Sequence, residues 1–258
     1  MTRGMGAPLL LLTIACTGAP VADTRPAGRP RPSPDPAAVQ KLKDAGKEVT
    51  PAAFVGWIEL RGDVSGDVRE DAELMALYLA AGIDPNAKGS GGDTALLVAA
   101  RKGRHDLVDL LLKAGADTHA RGSQKRTPLH AAAINGDALT INALIAAGAE
   151  VDARSDGGYT PFYIAAQNGH VEAMKRLLEK GADVNARNSV TDQTPLMAAV
   201  YNTGPEAVQA LLDAKADLNA VDYSGRSVLD IAVDLKRPEA VIALLRKAGA
   251  QPGKKKAS

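Results

Sequence analysis

The chain has 258 residues, and its 31 Lys and Arg against 30 Asp and Glu leave a formal net charge of +1. Such a balance lacks the basic surface that neutralises phosphates, so the composition predicts no nucleic-acid binding. One cysteine excludes an intramolecular disulfide framework and a cysteine-cluster metal site. Because aromatic residues make up only 3%, the core must be built from Ala, Leu, Val and Ile. These small side chains favour closely stacked, repetitive helices.

Residues 1–15 are predicted to be a signal peptide. An apolar stretch runs from Ala7 to Ala15, far shorter than the ~20 residues of a helix that spans a bilayer. The sequence Thr-Ile-Ala-Cys at 13–16 resembles a bacterial lipobox. That resemblance implies cleavage before Cys16, lipidation of Cys16, and an exported, periplasmic protein whose membrane attachment is this N-terminal lipid anchor. Soluble export and a cytoplasmic protein with an uncleaved start remain as alternatives.

Residues 16–36 are predicted to form a Pro-rich tether. Proline stands at every second position from Pro30 to Pro36. Each proline fixes φ and removes an amide donor, so neither helix nor sheet is expected here. At ~3 Å per residue, such a spacer would hold the following domain up to ~60 Å from the membrane.

The remaining sequence is periodic. A hydroxyl residue recurs at intervals of 33, 33, 34 and 33 residues, at Thr94, Thr127, Thr160, Thr194 and Ser227. A glycine recurs in step with it, at Gly82, Gly115, Gly148, Gly181 and Gly249, with Lys215 in the fifth position. Regular spacing through five units predicts one structural unit per period.

Each part of the period predicts a local structure. Thr before Pro is typical of an N-cap and the first helical position, and the Leu and Ala residues that follow form one apolar face. A glycine such as Gly136 breaks the chain before a second helix, and the glycine before Ala-Asp ends that helix in the left-handed conformation. The loops at 122–126 and 188–193 are predicted to be turns that carry Lys125 and Asp192 where glycine is usual.

This order of helix, turn, helix and hairpin resembles the ankyrin repeat family. The resemblance implies an all-α fold, an ankyrin-repeat solenoid of about six helix-turn-helix units with β-hairpin tips, over residues 37–250. The expected units are a degenerate first repeat at 50–88 and repeats near 89–121, 122–154, 155–187, 188–221 and 222–250. A basic tail is expected at 251–258.

The first repeat departs from the period. We expect a helix that begins at Thr50 and a second helix over residues 74–81. The distance between their glycines leaves about eight extra residues near 64–71. A short helix over 37–46 is expected to cover the N-terminal end of the solenoid.

Catalytic or metal-binding constellations are not evident in the sequence. The four histidines, His105, His119, His130 and His170, occupy different positions of the repeat and lack cysteine partners. The resemblance implies that His130 bonds its own turn and the neighbouring loop. Recurring acids are expected to cap local backbone amides rather than to form a catalytic pair; they are Asp84, Asp117, Glu150, Asp183 and Asp217. We therefore expect no enzyme activity, no cofactor and no metal.

The resemblance implies a protein partner that binds a concave face of hairpin tips and exposed positions of each first helix. The candidate positions are Arg101, Lys102, Gln124, Arg126, Asn135, Asp156, Tyr159, Gln167, Asn168, Gln193, Tyr201, Asn202, Tyr223 and Arg226. Tyr and Arg are typical of binding hot spots. We expect a monomeric, non-catalytic protein-binding scaffold of the bacterial cell envelope. An immunity or inhibitor protein that masks a toxin or enzyme, and a protective accessory factor for a periplasmic stress enzyme, are the alternatives.

Overall fold

Helices make up most of the structure. The computed structural model of the chain describes residues 33–60 and 68–253. The predictions of a signal peptide, of lipidation at Cys16 and of a tether as far as residue 32 lie outside the described residues. The helices within them are α1 (Pro36–Asp44), α2 (Pro51–Leu60), α3 (Val68–Ala80), α4 (Ala95–Arg101), α5 (His105–Lys113), α6 (Pro128–Asn135), α7 (Ala138–Ala146), α8 (Pro161–Asn168), α9 (Val171–Glu179), α10 (Pro195–Asn202), α11 (Pro205–Asp213), α12 (Val228–Asp234) and α13 (Glu239–Lys247).

The helices form two stacked layers. The inner layer contains α2, α4, α6, α8, α10 and α12 in sequence, each packed on the next. The outer layer contains α3, α5, α7, α9, α11 and α13, and α1 packs on α3 at the N-terminal end. The predicted all-α solenoid of helix-turn-helix units is confirmed. Because each unit contacts only its neighbours, stacking alone buries the apolar face of every unit.

The inner helices begin at the predicted caps. Thr160 Oγ1 accepts a hydrogen bond from the N–H of Tyr163 at 3.1 Å, and Thr194 Oγ1 accepts one from Met197 at 3.4 Å. Proline occupies the first turn of α6, α8 and α10, where its missing N–H is not needed. The apolar face that follows is buried, and Leu129 is wholly inaccessible to solvent.

Left-handed residues end the outer helices. Gly115, Gly148 and Gly181 have φ values between 85° and 93°. Lys215 adopts the same conformation in the fifth unit, with a φ of 60°. A Cβ atom makes the left-handed region unfavourable. Lys215 therefore ends its helix in the same way as the glycines, but with a strained backbone.

The second helix of the first repeat is longer than expected. It begins at Val68 rather than at residue 74. Residues 68–71 are therefore helical, so this part of the predicted insertion at 64–71 lengthens the helix. Residues 61–67 lie outside the described part of the chain.

A buried ion pair lies in the first turn of this helix. Asp71 is 1% exposed, and its Oδ2 lies 2.8 Å from Nη1 of Arg104 in the next repeat. Arg104 also donates to both carboxylate oxygens of Asp106, at 2.9 and 2.7 Å. Burial raises the pKa of the Asp106 carboxyl, but the hydrogen bonds and charge of Arg104 outweigh that effect and lower it below its ordinary value. These contacts fix the first repeat on the second.

The last repeat is closed by the end of the chain. Ser227 and Asp230 cap α12 reciprocally: the N–H of Asp230 donates to Ser227 Oγ at 3.2 Å, and the N–H of Ser227 donates to Asp230 Oδ2 at 2.9 Å. The N–H of Gly253 donates to the same oxygen at 2.6 Å. A Cβ atom at residue 253 would lie 2.3 Å from the carbonyl oxygen of Gly225, so this close approach requires glycine.

Candidate protein-binding surface

Five loops precede the inner helices α4 to α12, and we call them loop tips one to five. They comprise residues 89–93, 122–126, 155–159, 188–193 and 222–226. In each, the N–H of the first residue donates to the carbonyl of the last residue at 2.9 to 3.1 Å. The described residues contain no longer strands at the loop tips, which are hairpins in their shortest form with isolated bridges at Lys88–Thr94 and Val221–Ser227.

The later loop tips are joined to one another through their backbones. The N–H of Ser189 donates to the carbonyl of Gly157 at 2.8 Å, and the N–H of Tyr223 donates to the carbonyl of Thr191 at 3.0 Å. The first bond joins tips three and four, and the second joins tips four and five. Side chains on these three tips are therefore presented on one connected frame.

Three arginines at the same position of successive repeats, which we call the arginine ladder, donate hydrogen bonds to the loop tips. Arg121, Arg154 and Arg187 each bond their own loop. Arg121 also donates to the carbonyl of Arg154 at 2.8 Å, and Arg154 to that of Arg187 at 2.9 Å. Arg187 in turn reaches the carbonyl of Val221. The sequence prediction missed this ladder, although an interval of 33 residues between the arginines was a visible signal.

His130 links the third and fourth repeats. Its Nδ1 lies 3.2 Å from the backbone nitrogen of Thr127 and 2.8 Å from Thr127 Oγ1, and its Nε2 lies 2.9 Å from the carbonyl oxygen of Tyr159. Burial lowers the pKa of His130 to about 4. The ring is therefore neutral at pH 7, with Nδ1 accepting and Nε2–H donating. This confirms the predicted structural role of His130.

The recurring acids organise their own turns. The backbone N–H two residues later donates to the carboxylates of Asp84, Asp117, Asp183 and Asp217 at 2.8 to 2.9 Å. The prediction that these acids cap local amides is confirmed for these four. None of the four bonds requires a ligand or a reaction, so the ladder of acids is part of the scaffold.

The structure places the predicted partner-binding residues at different depths. The exposed residues are Arg101, Gln124, Asn135, Asp156, Asn168, Asn202 and Tyr223. The partly exposed residues are Lys102, Arg126, Tyr159, Gln167, Tyr201 and Arg226. We call these two groups together the inner surface.

Gln193 departs from the expected exposure. It is only 9% exposed, because its Nε2 turns inward and donates to Tyr201 Oη at 3.3 Å. The prediction of a surface contact at Gln193 was therefore wrong. Its loop contains one residue more than the others, and the buried Asn188 organises it by accepting from the N–H groups of Val190 and Thr191 at 2.9 and 2.8 Å.

Two polar clusters lie on the inner surface. Near the N-terminal end, Arg101 bonds Asp93 at 2.6 Å and Glu59 at 3.3 Å. Near the C-terminal end, Nη2 of Arg226 lies 2.9 Å from Asp222 Oδ2 and 3.0 Å from Tyr201 Oη. In both clusters the guanidinium is held by carboxylates of the protein itself.

The repeats described above match a known family. A model of ankyrin repeats in three copies matches residues 68–155, 115–188 and 185–256. The chain belongs to the ankyrin repeat family. A search of curated proteins found no match. Ankyrin repeats form a scaffold for protein–protein interaction, which directs attention to the exposed part of the inner surface.

The ankyrin loop tips also present an apolar patch. Val190 is 58% exposed and Tyr223 is 60% exposed, and the rings of Tyr159 and Tyr163 lie 5.1 Å apart. A Cβ atom at Gly157 would lie 2.7 Å from Tyr159 and 3.1 Å from Val190, so these side chains meet above that glycine. We call Tyr159, Val190 and Tyr223 the tip patch. The sequence prediction missed Val190, since an aliphatic residue in an irregular loop carries no periodic signal.

The described part of this ankyrin structure has neither a candidate metal site nor a candidate membrane span. Over residues 33–60 and 68–253, no group of three or more His, Cys, Asp or Glu side chains is placed to hold a metal ion. The same residues contain no helix with the length and apolar character needed to cross a bilayer. His170, like His130, serves a repeat junction, because its Nε2 lies 2.8 Å from the carbonyl oxygen of Ile134.

Proposed function

We propose that this ankyrin-repeat chain is a non-catalytic scaffold of the bacterial cell envelope that holds a protein partner on its inner surface. In this proposal the inner surface is the concave face of the solenoid. Residues 1–15 direct export, lipidated Cys16 anchors the chain to the membrane, and residues 16–36 hold the solenoid away from the bilayer.

The observation that carries the proposal is the contrast between exposed side chains and a fixed backbone at the loop tips. Val190 and Tyr223 expose apolar area to solvent, while the backbones of their tips are bonded to Gly157 and Thr191. A surface that is already ordered loses little conformational entropy when a partner binds. Exposed aromatic residues on such a frame are typical of interaction hot spots.

The proposed partner site is tested by cross-linked capture from native membranes. The test variant replaces Arg126, Tyr159, Tyr201 and Tyr223 with Ala. The control variant replaces Leu139, Lys175 and Arg246 with Ala; these residues are exposed on outer helices α7, α9 and α13. We expect the wild type and the control to capture the same protein and the test variant to lose it. Capture of one protein by all three would contradict the proposal.

The identity of the captured protein also separates the scaffold from an inhibitor. An inhibitor would abolish the activity of a captured toxin or enzyme when the two purified proteins are mixed. A scaffold would leave that activity intact. Here we favour the scaffold, because the chain's interaction surface is assembled from several repeats rather than from one loop.

The proposed anchor is tested separately from the partner site. Cells that express the wild type or Cys16→Ser are labelled with radioactive palmitate and fractionated. We expect label on the wild-type chain and its recovery with membranes, and neither for Cys16→Ser. An unlabelled wild-type chain in the soluble periplasmic fraction would contradict the lipid anchor and indicate soluble export. An unlabelled wild-type chain in the cytoplasm would refute export.

A further inference from the structure

We propose that Arg126 anchors a carboxylate of the partner, so that the partner segment on the inner surface carries an Asp or Glu side chain. This inference rests on the proposed function and adds the chemistry of the partner to it. Arg126 ends loop tip two, in the middle of the inner surface between the two polar clusters.

The guanidinium of Arg126 has an unmet hydrogen-bonding requirement. Its Nε is inaccessible to solvent and has no acceptor among the described residues. A buried N–H without an acceptor is unfavourable, and an arginine usually satisfies it with a carboxylate. Arg126 is partly exposed as a residue, so an external carboxylate would approach the outer Nη edge of its guanidinium rather than the inaccessible Nε.

Equivalent positions of other repeats show how this requirement is met internally. Arg226 ends loop tip five, as Arg126 ends tip two, and its guanidinium is held by Asp222, the first residue of that tip. The equivalent of Asp222 in tip two is Gly122. A Cβ atom at Gly122 would lie 2.1 Å from Asp93 Oδ1, so packing leaves no space for a carboxylate there.

The neighbouring carboxylate does not serve Arg126 either. Asp93 Oδ2 accepts from Arg101 at 2.6 Å, and Asp93 Oδ1 accepts from the N–H of Ser123 at 3.2 Å. Asp93 ends tip one, at the position that Arg126 occupies in tip two. The residue eight positions later is Arg101 after tip one and the apolar Ile134 after tip two. The chain thus has an arginine at position 126 without the carboxylate that holds its equivalent, Arg226.

The surroundings favour a carboxylate over a phosphate. Phosphate recognition generally uses several arginines together, but Arg101 is already held by Asp93 and Glu59. A single guanidinium edge matches the two oxygens of one planar carboxylate. Ile134 adds a partly buried apolar side chain to the same repeat, so an acidic residue beside an apolar one is the expected motif.

Selection from a displayed library of random dodecapeptides tests this inference. The baits are the full chain as wild type, Arg126→Gln, Arg126→Lys and Arg246→Gln. The last variant removes one exposed positive charge from outer helix α13 and serves as the charge control. We expect the wild type and Arg246→Gln to enrich peptides with Asp or Glu at one fixed position, and Arg126→Gln to lose that preference.

Affinities of one enriched peptide and its Glu→Gln form then measure the contact. We expect the peptide substitution to weaken binding at least tenfold on the wild type and less than twofold on Arg126→Gln. Arg126→Lys keeps the charge but lacks the two parallel Nη–H donors of a guanidinium, and we expect it to recover only part of the affinity. Arg126→Lys also serves as the test variant if circular dichroism shows that Arg126→Gln does not fold.

The outcomes separate this inference from the proposed function. If enriched peptides bind Arg126→Gln as well as they bind the wild type but lose binding to Tyr159→Ala/Tyr223→Ala, the inference is overturned and the partner surface stands. If the Tyr variant retains the peptides, the proposed surface is wrong. A selection that enriches no peptide on the wild type, or peptides without an acid, overturns the inference as well.

Discussion

The Nε2 of His130 lies 2.9 Å from the carbonyl oxygen of Tyr159. A buried side chain of one repeat therefore positions the loop tip that carries Tyr159, a proposed binding residue, in the next repeat. The bond needs a neutral ring, because Nδ1 must accept from Thr127 while Nε2–H donates. Stability and the geometry of the inner surface are thus coupled through one histidine.

This coupling predicts a dependence of stability on pH. Burial lowers the pKa of His130 to about 4, whereas an unfolded chain has a histidine pKa of ~6.5. The unfolded state binds the extra proton between these values, so stability is complete above pH 6.5 and falls as the pH drops toward 4. The loss amounts to about 3 kcal/mol by pH 4.

The measurement is urea unfolding of the wild type and His130→Gln between pH 4 and 7.5. We expect His130→Gln to be less stable at pH 7, and the difference between the two proteins to shrink as the pH falls. All carboxylates are common to both proteins, so their titration cancels in the comparison. A difference that stays constant with pH would show that His130 is not buried as a neutral ring.

The buried pair between Asp71 and Arg104 predicts a strongly destabilised variant. Arg104→Met removes the guanidinium that lies 2.8 Å from the Asp71 carboxylate, and loss of one partner of a buried pair generally costs about 3–5 kcal/mol. The double variant Arg104→Met/Asp71→Leu should recover much of this loss, because the most deeply buried carboxylate, that of Asp71, is removed together with its partner. Chemical denaturation measures both. Equal stability of the wild type and Arg104→Met would refute the pairing.

The C-terminal closure predicts an effect of truncation. A chain that ends at Ala250 lacks the Gly253 N–H that donates to Asp230 at 2.6 Å, and a hydrogen bond to a charged group contributes about 1.5–3 kcal/mol. We expect its thermal midpoint to fall by several degrees. A chain that ends at Lys255 retains Gly253 and should match the full chain. Equal midpoints for both truncations would show that Gly253 does not close the repeat.

The left-handed conformation of Lys215 predicts a stabilising substitution. Its φ is 60°, where an L residue with a Cβ atom is unfavourable by about 1–2 kcal/mol. Lys215→Gly should therefore raise the free energy of unfolding by ~1 kcal/mol. Lys180→Gly is the matched control, since Lys180 has a φ of −99° and gains no relief. Stabilisation of both variants, or of neither, would contradict the argument.

Much of the fold was predictable because it follows from local rules that repeat. Thr160 before Pro predicts a capped helix, and Asp183 before Val-Asn predicts a turn that closes on its own amide; neither depends on distant residues. His130 was predictable only through the family, since its bond to Tyr159 joins residues 29 positions apart. Its role was still correct, because the period places the same two positions together in every unit.

What could not be predicted depends on where a side chain points. Gln193 was expected at the surface, but its side chain is buried and its amide donates a hydrogen bond to Tyr201. Arg154 bonds a carbonyl in its own loop and another in the next repeat; the 33-residue interval of the arginines is visible in the sequence, but their main-chain acceptors are not. Asp71 pairs with Arg104 across a part of the chain whose period is broken. In each case the position of the side chain is determined by a contact with a residue outside its own local motif.

The most direct test of the account is the affinity of the captured partner for three purified chains. These are the wild type, Tyr159→Ala/Tyr223→Ala from the tip patch, and Leu139→Ala, which removes an equally exposed apolar side chain from outer helix α7. We expect Tyr159→Ala/Tyr223→Ala to bind at least tenfold more weakly with unchanged helicity, as hot-spot truncations do, and Leu139→Ala to bind as the wild type does. Equal binding by all three chains, or a loss confined to Leu139→Ala, would contradict the assignment of the inner surface.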